Sequence, residues 1–440
     1  MKEKGITDFN SLRITPRGSL LATPLKQSKN EHVCYGLGSP VQISPTKVMV
    51  FLNRRICETT VPDFEAGSDA IIFDDWNSIS VDHSIPISRN ESGTHPRTGK
   101  PVILAKYPIS AGFVPLAARL PDGSPHPYAG SGFGLASVRR FPADLQDVWA
   151  DNTDIAPCLE LQQFEYNGCC LEVTRTELFE PDELIKDWSV SHGALHCAIP
   201  DGKSLVMGLS AYKSGQRLSC GLSRWQRGEN GWRPTEFVPV TEPDGSTEPS
   251  IIRDIDNSLL LCARNEGSTA FFRPFRVWRS LDGGISWALI INIPEVQMQS
   301  PLSLSNTLEG WPFIASNPRR DILDDSRGRM VMPLWLREDL CLWPLTKDRK
   351  GIEKSVNVFD ARACFGTAPD TGNWFVNFWF ADHPNGGVFR LADGCHHSLL
   401  FFRTMLLAEP AAGCSPTEHT GCRVAEIISD EKNEVHTWIF

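Results

Sequence analysis

The sequence predicts an all-β protein organised as one large β-propeller. Short strand-like runs recur along the chain, for example at residues 48–52, 204–209, 258–263 and 397–403, and a turn pair such as Asp201-Gly202 precedes many of them. Helical periodicity is rare, with residues 182–188 as the main exception. The 34 glycines and 32 prolines also favour many turns over long helices.

The spacing of these strands predicts the architecture. The strand–turn units repeat at intervals of a few tens of residues, which suits propeller blades of four strands each. A length of 440 residues accommodates six or seven such blades. A two-sheet sandwich, the compact alternative, would need fewer strands than the turns imply. No low-complexity linker divides the chain, so we predict one domain over residues 35–440, with residues 1–34 as an N-terminal tail or a closing strand.

The composition excludes several classes of protein. The net charge of -10 argues against a nucleic-acid partner, and the apolar runs are far shorter than the roughly 18 residues of a membrane-spanning helix. The thirteen cysteines are an odd number without a C-x-x-C pair, which argues against a complete disulfide framework and a cysteine zinc site. We therefore expect no metal, no cofactor and no membrane insertion. The N-terminus shows no apolar stretch of signal-peptide length, so the expected location is the cytoplasm, or outside the cell if the start is misassigned.

One motif lies between two predicted strands. Residues 279–287 fit the pattern S-x-D-x-G-x-x-W through Ser280, Asp282, Gly284 and Trp287. This motif resembles the Asp-box, or BNR repeat, of the sialidase-like β-propeller superfamily. In such a turn the Asp accepts hydrogen bonds from turn amides, the Gly permits a positive φ, and the Trp packs under the turn. The motif indicates a fold and not an activity, because it also occurs outside sialidases.

A weaker second copy precedes this motif by a plausible blade repeat. Residues 223–232 retain Ser223, Gly228 and Trp232 but have no Asp. We therefore predict a second, degenerate turn of the same kind in the preceding blade.

A second resemblance lies between the two copies. Glu248 and Arg264 flank a strand–turn–strand unit, sixteen residues apart. This unit is similar to the sialidase segment in which a Glu polarises the catalytic tyrosine and an Arg is one of three that hold the substrate carboxylate. A guanidinium suits that task because it binds a carboxylate bidentately. The resemblance implies that Glu248 is catalytic and that Arg264 holds an anionic group of the ligand; the alternative is a salt bridge between neighbouring strands.

The sequence departs from the family in two respects. The tyrosine nucleophile of sialidases lies well downstream of the Glu/Arg segment, but all five tyrosines here precede Arg264. The family also begins its propeller with an Arg before Ile-Pro, whereas no arginine stands before Pro40 here. The general acid of the family is an Asp in a loop after the second strand, which implies Asp69, with Asp74 and Asp75 as neighbouring candidates. The alternative for each of these is a solvated loop carboxylate.

Other residues supply candidate bases and clamps. His192, at the predicted start of an inner strand, and Tyr212, at a strand end, are candidate catalytic bases or proton donors. The alternatives are a hydrogen-bonded structural histidine and a tyrosine at the rim. His196, four residues after His192, is expected to be packed or to lie on the outer side of the cleft rim. A metal pair is not expected, because no third ligand is evident.

Arginines and histidines also follow later strands. Arg319 and Arg362 are assigned to substrate binding, as candidate replacements for the missing arginines that hold the substrate carboxylate in the family. Asp382-His383 and His396-His397 flank the last predicted hairpin, and no role is assigned to them.

These observations predict a carbohydrate-active protein of the sialidase superfamily. The main hypothesis is a glycoside hydrolase that cleaves a terminal or acidic sugar from a glycan. One alternative is a polysaccharide lyase, which needs a residue to neutralise a uronate and a base to remove the C5 proton. The other is a non-catalytic propeller that binds a sugar or a protein, which the two departures favour. In the enzymatic cases the expected partner is a glycan or an acidic sugar.

Overall fold

The computed structural model of the chain describes residues 12–16, 25–28, 31–56, 65–75, 84–95, 98–106, 110–143, 158–193, 196–265, 273–297, 300–319, 337–365, 378–407 and 421–429. Within these residues the chain forms six antiparallel sheets and one short helix, α1 (Ala361–Phe365). No helix in the described ranges is long and apolar enough to cross a membrane. The prediction of an all-β propeller of six or seven blades is confirmed, with six blades.

In the described part of the chain, the first three blades contain five, six and five strands. Blade I contains β3 (Glu31–Gln42), β4 (Val48–Ile56), β5 (Glu65–Phe73) and β6 (Ile85–Arg89), and β2 (Leu25–Ser28) pairs with β3. In blade II, β9 (Ser110–Phe113) and β8 (Pro101–Lys106) both pair with β10 (Ser131–Pro142). The sheet continues outward from β10 through β11 (Cys158–Tyr166) to β12 (Leu171–Phe179). The remaining strand, β7 (Glu91–Thr94), pairs with β8. In blade III, β13 (Ser189–Gly193) and β14 (Ile199–Asp201) both pair with β15 (Ser204–Tyr212), followed by β16 (Ser219–Gly228) and β17 (Gly231–Pro239).

The last three blades contain four strands each within the described residues. Blade IV contains β18 (Ser246–Arg253), β19 (Leu259–Asn265), β20 (Arg273–Ser280) and β21 (Ala288–Gln297). Blade V contains β22 (Ser303–Asn306), β23 (Pro312–Ser316), β24 (Asp339–Pro344) and β25 (Val356–Asp360). Blade VI contains β26 (Phe378–Arg390), β27 (His396–Leu407), β28 (Gly421–Ser429) and β1 (Leu12–Pro16).

The burial of each strand follows from its place in the blade. The second strand of blade III, β15, is apolar or small along almost its whole length and is buried on both faces, because neighbouring blades cover both sides of it. The outermost strand of blade II, β12, carries charged and polar residues and is half-buried or exposed throughout. A continuous apolar run therefore marks a strand near the axis, and a mixed run marks the periphery.

The hydrophobic cores lie between blades. One apolar cluster joins blades I and II through Phe51 and Phe164, and another joins blades II and III through Phe133 and Trp225. Further clusters fill the interfaces between blades III and IV, IV and V, and V and VI. The last interface, between blades VI and I, is filled by a cluster that includes Tyr35. The six blades therefore form a closed ring in which every interface is packed.

The N-terminal strand completes the last blade. β1 pairs antiparallel with β28, with Leu12 opposite Ser429 and Pro16 opposite Ala425. It is the outermost strand of blade VI, so strands from both ends of the described chain share one sheet. This pairing covers the edge that β28 would otherwise expose.

Candidate active site

The inner strands carry irregularities near one end of the propeller axis. The pairing register shifts in β3 between Tyr35 and Gly38, in β13 between Val190 and His192, in β18 between Thr247 and Ser250, and in β26 between Asp382 and Asn385. The residues that follow three of these shifts along their strands, at 40–42, 251–253 and 386–389, line one common cavity. The bulges therefore lie at a similar level around the axis. Bulges are common next to active sites, because they redirect side chains.

Two of these bulges hold residues in an unfavourable backbone conformation. Glu248 has a φ of 51° and His383 a φ of 53°, both in the left-handed region that non-glycine residues rarely adopt. Such conformations are retained where the surroundings enforce them, and they concentrate at functional sites.

Glu248 and Arg264 are brought together by the first hairpin of blade IV. Arg264 on β19 lies opposite Thr247 on β18, and its Nη1 atom donates to Oε2 of Glu248 at 3.0 Å. The amide of Glu248 donates to the hydroxyl of Ser210 on β15 of blade III at 3.1 Å. Both side chains of the pair retain some exposure, 15% for Glu248 and 12% for Arg264. The pair is therefore anchored between two blades and still reaches solvent.

Asp382 forms a second charged group on blade VI. Its Oδ1 atom lies 2.9 Å from Nε of Arg403 and 2.9 Å from Nδ1 of His383, and its Oδ2 atom accepts hydrogen bonds of 3.0 Å from Arg403 Nη2 and Arg337 Nη1. The carboxylate is fully buried. Although burial alone raises the pKa of Asp382, the positive charges of Arg403 and Arg337 hold this pKa well below its usual value. Asp382 is therefore a permanent anion.

Electrostatic coupling joins the two groups into one site. Burial lowers the pKa of Arg337, and the nearby positive charge of Arg264 lowers it further. Burial also lowers the pKa of His383, against the opposing effects of Asp382 and Glu248. His383 is therefore an uncharged imidazole near neutral pH. We call this set the axial cluster: Glu248, Arg264, Arg337, Asp382, His383 and Arg403.

A cavity of about 230 Å³ extends along the axis from the bulges. Its wall is mainly apolar and includes Val41, Phe113, Ile251 and Phe389. His196 lies in this wall, and burial lowers its pKa to about 3, against the opposing charge of Glu248. The expectation that His196 is packed agrees with its exposure of only 4%.

Asp69 does not lie in the loop where we expected the general acid. It is part of β5, opposite Leu52 of β4, and its side chain is buried. Its carboxylate is 2.6 Å from Nη1 of Arg89 and accepts a hydrogen bond of 2.5 Å from the hydroxyl of Tyr35. Burial and the hydrogen bond to Asp69 raise the pKa of Tyr35, so its phenol stays protonated. The prediction of a loop carboxylate is wrong because sheet pairing extends through Asp69.

Tyr212 and His192 lie on neighbouring strands near Glu248. Tyr212 is at the end of β15, two residues beyond Ser210, and is half-buried. Within the described chain no hydrogen bond joins its side chain to Glu248 or Arg264. The backbone of His192 lies at the bulge of β13, opposite Ser210. The side chain of His192 lies outside the described residues, so its assignment stays a prediction.

The axial cluster, as far as the structure describes it, includes neither of the two arginines that were assigned to substrate binding. Arg319 follows β23 and is exposed, and its amide donates to the carbonyl of Val296. Arg362 is in α1, and its side chain lies outside the described residues. Arg337 and Arg403, to which no role was assigned from the sequence, are the arginines that donate to Asp382. One feature of the sequence could have pointed to Arg403, because it lies opposite Asp382 in the last predicted hairpin.

Asp282 lies in the turn between β20 and β21, the two outer strands of blade IV. It accepts hydrogen bonds from the amides of Ile285 and Ser286 and from the hydroxyls of Ser280 and Ser286. The indole of Trp287 donates to the carbonyl of Gly284 at 3.0 Å. Gly284 has a φ of 95°, which residues with a side chain rarely adopt, and a Cβ there would lie 2.8 Å from Leu222 of blade III.

The predicted second copy of this turn is absent from the corresponding hairpin of blade III. Ser223 lies in the middle of β16, and its hydroxyl donates to the carbonyl of Met207 within the sheet. Trp232 is buried in β17 and packs in the core between blades II and III. The prediction is wrong because the chain turns at Gly228–Gly231, several residues after Ser223.

Comparison with known proteins identifies the fold. No protein-family model and no curated protein sequence matches the chain. A Trypanosoma rangeli sialidase in complex with the inhibitor DANA aligns with a TM-score of 0.52 and 12% identity, over 94% of this chain and 58% of the sialidase. A Dyadobacter fermentans protein of unknown function aligns with a TM-score of 0.55 and 10% identity, over 95% of this chain and 99% of that protein. A Penicillium chrysogenum alpha-L-arabinanase complexed with arabinobiose aligns with a TM-score of 0.48 and 10% identity, over 95% of this chain and 98% of the arabinanase.

The fold is therefore that of the sialidase-like β-propellers, as the Asp-box resemblance implied. This chain spans little more than half of the T. rangeli sialidase. In the part of the chain that the structure describes, no group of three or more His, Cys, Asp or Glu side chains is placed to hold a metal ion.

Proposed function

We propose that this protein is a propeller glycosidase that hydrolyses the bond to a terminal sugar of a glycan at the axial cluster. The observation that carries the proposal is the axial cluster, which joins charged groups of blades IV, V and VI at the bulges of the inner strands. Two of its members, Glu248 and His383, are held in a left-handed backbone conformation. A purely structural cluster gives no reason to retain this conformation at two separate bulges.

The chemistry of the cluster suits glycoside cleavage. The transition state of this reaction carries positive charge on the sugar ring, which a nearby carboxylate stabilises. Glu248 is the partly exposed carboxylate of the cluster, and Arg264 holds it in place. We assign Glu248 as the catalytic carboxylate and Arg264 as its positioning residue.

Proton transfer is assigned to His383. Its Nδ1 atom lies 2.9 Å from Asp382, which favours the tautomer with the proton on Nδ1 and leaves the lone pair on Nε2. An uncharged imidazole oriented by a buried carboxylate is an effective general base. We propose that Nε2 of His383 takes the proton from the attacking water as its oxygen bonds to the anomeric carbon, while the glycosidic bond breaks and the leaving oxygen takes a proton from solvent. Asp69, which is engaged by Arg89 and Tyr35, is left out of this scheme.

The test is hydrolysis of a panel of aryl glycosides that differ in the sugar. Glu248→Gln keeps the size of the side chain and removes its charge, so it should lower kcat/KM by about 10²- to 10⁴-fold with the fold intact. Glu236→Gln is the matched control, because Glu236 is an exposed carboxylate on β17 that pairs with Arg224. The control should retain wild-type activity.

Two outcomes would contradict the proposal. The first is a folded wild-type protein that binds sugars of the panel and hydrolyses none of them, which would support the binding-propeller alternative. The second is an active protein in which Glu248→Gln retains the wild-type rate. In that case the catalytic carboxylate lies elsewhere.

A further inference from the structure

The arginines of the axial cluster already hold carboxylates of the protein. Arg403 presents two atoms, Nε and Nη2, to the two oxygens of Asp382, and Arg337 adds Nη1 to one of those oxygens. Arg264 donates through Nη1 to Glu248. A guanidinium binds a ligand carboxylate best through a pair of parallel N–H groups. In Arg403 the pair of N–H groups that could bind a ligand carboxylate in this way is already bound to Asp382.

Asp382 is firmly held in this position. Its side chain is fully buried, and both oxygens have at least two partners. A ligand carboxylate at Arg403 would have to displace it and leave a second buried anion without compensation. The cluster therefore has the composition of an anion site whose anion is part of the chain.

Several uncharged polar groups around the cluster have hydrogen-bonding capacity left. Among the described residues, no partner is found for the side-chain amide of Asn53, the hydroxyl of Thr247 or Nε2 of His196, all of them buried. Asn53 lies beside Arg403, since a Cβ at Gly36 would be 3.7 Å from its Nδ2 and 3.5 Å from Cδ of Arg403. Thr247 lies opposite Arg264, and His196 is within the electrostatic range of Glu248.

Such groups match the chemistry of sugar hydroxyls. A hydroxyl both donates and accepts a hydrogen bond, as an amide does, whereas a carboxylate only accepts. Buried polar groups without partners favour a ligand that satisfies them and discriminate against one that does not.

We propose that Asp382 is a built-in carboxylate that fills the arginine site of the axial cluster, so that the protein takes uncharged sugars and rejects carboxylated ones such as sialic and uronic acids. The inference rests on the proposed function and names its substrate class. It replaces the expectation that Arg264 holds an anionic group of the ligand. Arg264 instead positions Glu248, and Arg337 and Arg403 neutralise Asp382.

The first test compares matched sugars on the wild-type protein. Glucose with glucuronate, and galactose with galacturonate, differ only in whether C6 is a hydroxymethyl group or a carboxylate. Binding by calorimetry and hydrolysis of the aryl glycosides should favour the neutral member of a pair by about tenfold or more. A preference for the acidic member would overturn the proposal.

The second test removes the internal carboxylate and uses acetate as the probe. Asp382→Ala leaves Arg337 and Arg403 facing a vacancy the size of a carboxylate, so acetate should raise the thermal midpoint of this variant. Sodium chloride at equal ionic strength should not have this effect. Asp382→Asn is the matched control, because its amide fills the vacancy, and neither it nor the wild type should respond to acetate.

The two tests separate the inference from the proposed function. If no sugar of the panel is bound or hydrolysed, the proposed function fails, and the acetate response still decides whether Asp382 occupies an anion site. If Asp382→Ala is folded by circular dichroism and acetate has no effect, the built-in carboxylate is refuted. If Asp382→Ala does not fold, the preference of the wild type within the matched pairs decides the proposal.

Discussion

At the scale of single residues, the axial cluster depends on burial to set its charges. Asp382 stays ionised because three cationic or hydrogen-bonding groups surround it, whereas His383, next to it in sequence, loses its proton because it is buried. Two adjacent residues thus have opposite charge states, one a fixed anion and the other a neutral imidazole. The left-handed conformation of His383 lets both side chains of this dipeptide belong to one cluster.

The pH dependence of activity tests the role of His383. A general base acts only when it is unprotonated, and burial lowers the pKa of His383 below its ordinary value of about 6.5. The acid limb of the pH profile of kcat/KM should therefore lie below pH 6.5, with full activity retained at neutral pH. In His383→Gln this limb should disappear together with most of the activity. An acid limb that stays at the same pH in an active His383→Gln protein would show that another group titrates.

At the scale of elements, the turn at Asp282 stabilises the outer hairpin of blade IV. The hydrogen bonds from Ser286, followed by that from Ser280, lower the pKa of Asp282 to about 2. The lowered pKa means that the turn is stabilised above the unfolded-state pKa of about 3.9, and that this contribution is lost as the pH falls towards 2.

Asp282→Ala should therefore lower the thermal midpoint by a few degrees at pH 7 without a specific loss of activity. The difference from the wild type should shrink between pH 4 and pH 2. The measurement is differential scanning calorimetry across this range, with glycoside hydrolysis at pH 7. A variant of wild-type stability without activity would contradict the structural role, because Asp282 lies on the periphery of the blade.

A buried ion pair joins blade IV to blade V. Asp254, in the turn after β18, receives Nε of Arg349 at 2.7 Å and Nη2 at 2.9 Å, and the guanidinium lies 4.3 Å from the ring centroid of Trp311. Both charged side chains are almost fully buried. Such a pair stabilises little against an apolar replacement, but half of it left alone is costly.

Asp254→Ala should lower the free energy of unfolding by about 3–5 kcal/mol, because it leaves Arg349 buried without its counter-ion. The double variant Asp254→Leu with Arg349→Met should recover most of this loss. Urea unfolding of the two variants and the wild type measures both effects. Equal destabilisation of the single and double variants would show that packing, and not the unpaired charge, sets the cost.

At the scale of the whole molecule, the N-terminal strand completes the outer edge of blade VI. β1 supplies the outermost strand of blade VI and covers the edge of β28, while the apolar cluster at the interface of blades VI and I is built from the inner strands. The ring can therefore form without β1, but the edge of β28 would then be open.

Deletion of residues 1–16 should lower the thermal midpoint and promote self-association through β28. Deletion of residues 1–11 is the matched control, because it retains all of β1. Scanning calorimetry and light scattering measure the two effects. If the longer deletion behaves like the shorter one in both measurements, β1 neither stabilises blade VI nor protects the edge of β28.

The sequence by itself determined the architecture of the protein. Alternating turns and short apolar strands are local features, and the turn at Asp282 is made entirely from residues within one stretch of chain, so both can be read from neighbouring letters. The same holds for the Glu248–Arg264 pair, because one hairpin brings the two residues together. The prediction of a second turn at Ser223 failed because the identity of a residue does not distinguish the centre of a strand from a turn.

Only the tertiary structure decided the composition of the site. Arg337, Asp382 and Arg403 come from three strands or loops of blades V and VI, and their pairing depends on register and on the order of blades around the axis. The strand position of Asp69 was likewise hidden, because sheet pairing and not local sequence determines where β5 begins. The ion pairs of the site were also not predictable, because a sequence shows that an arginine is present but not that it is already paired with an aspartate of the same chain. Burial and the closure of the ring supply that information.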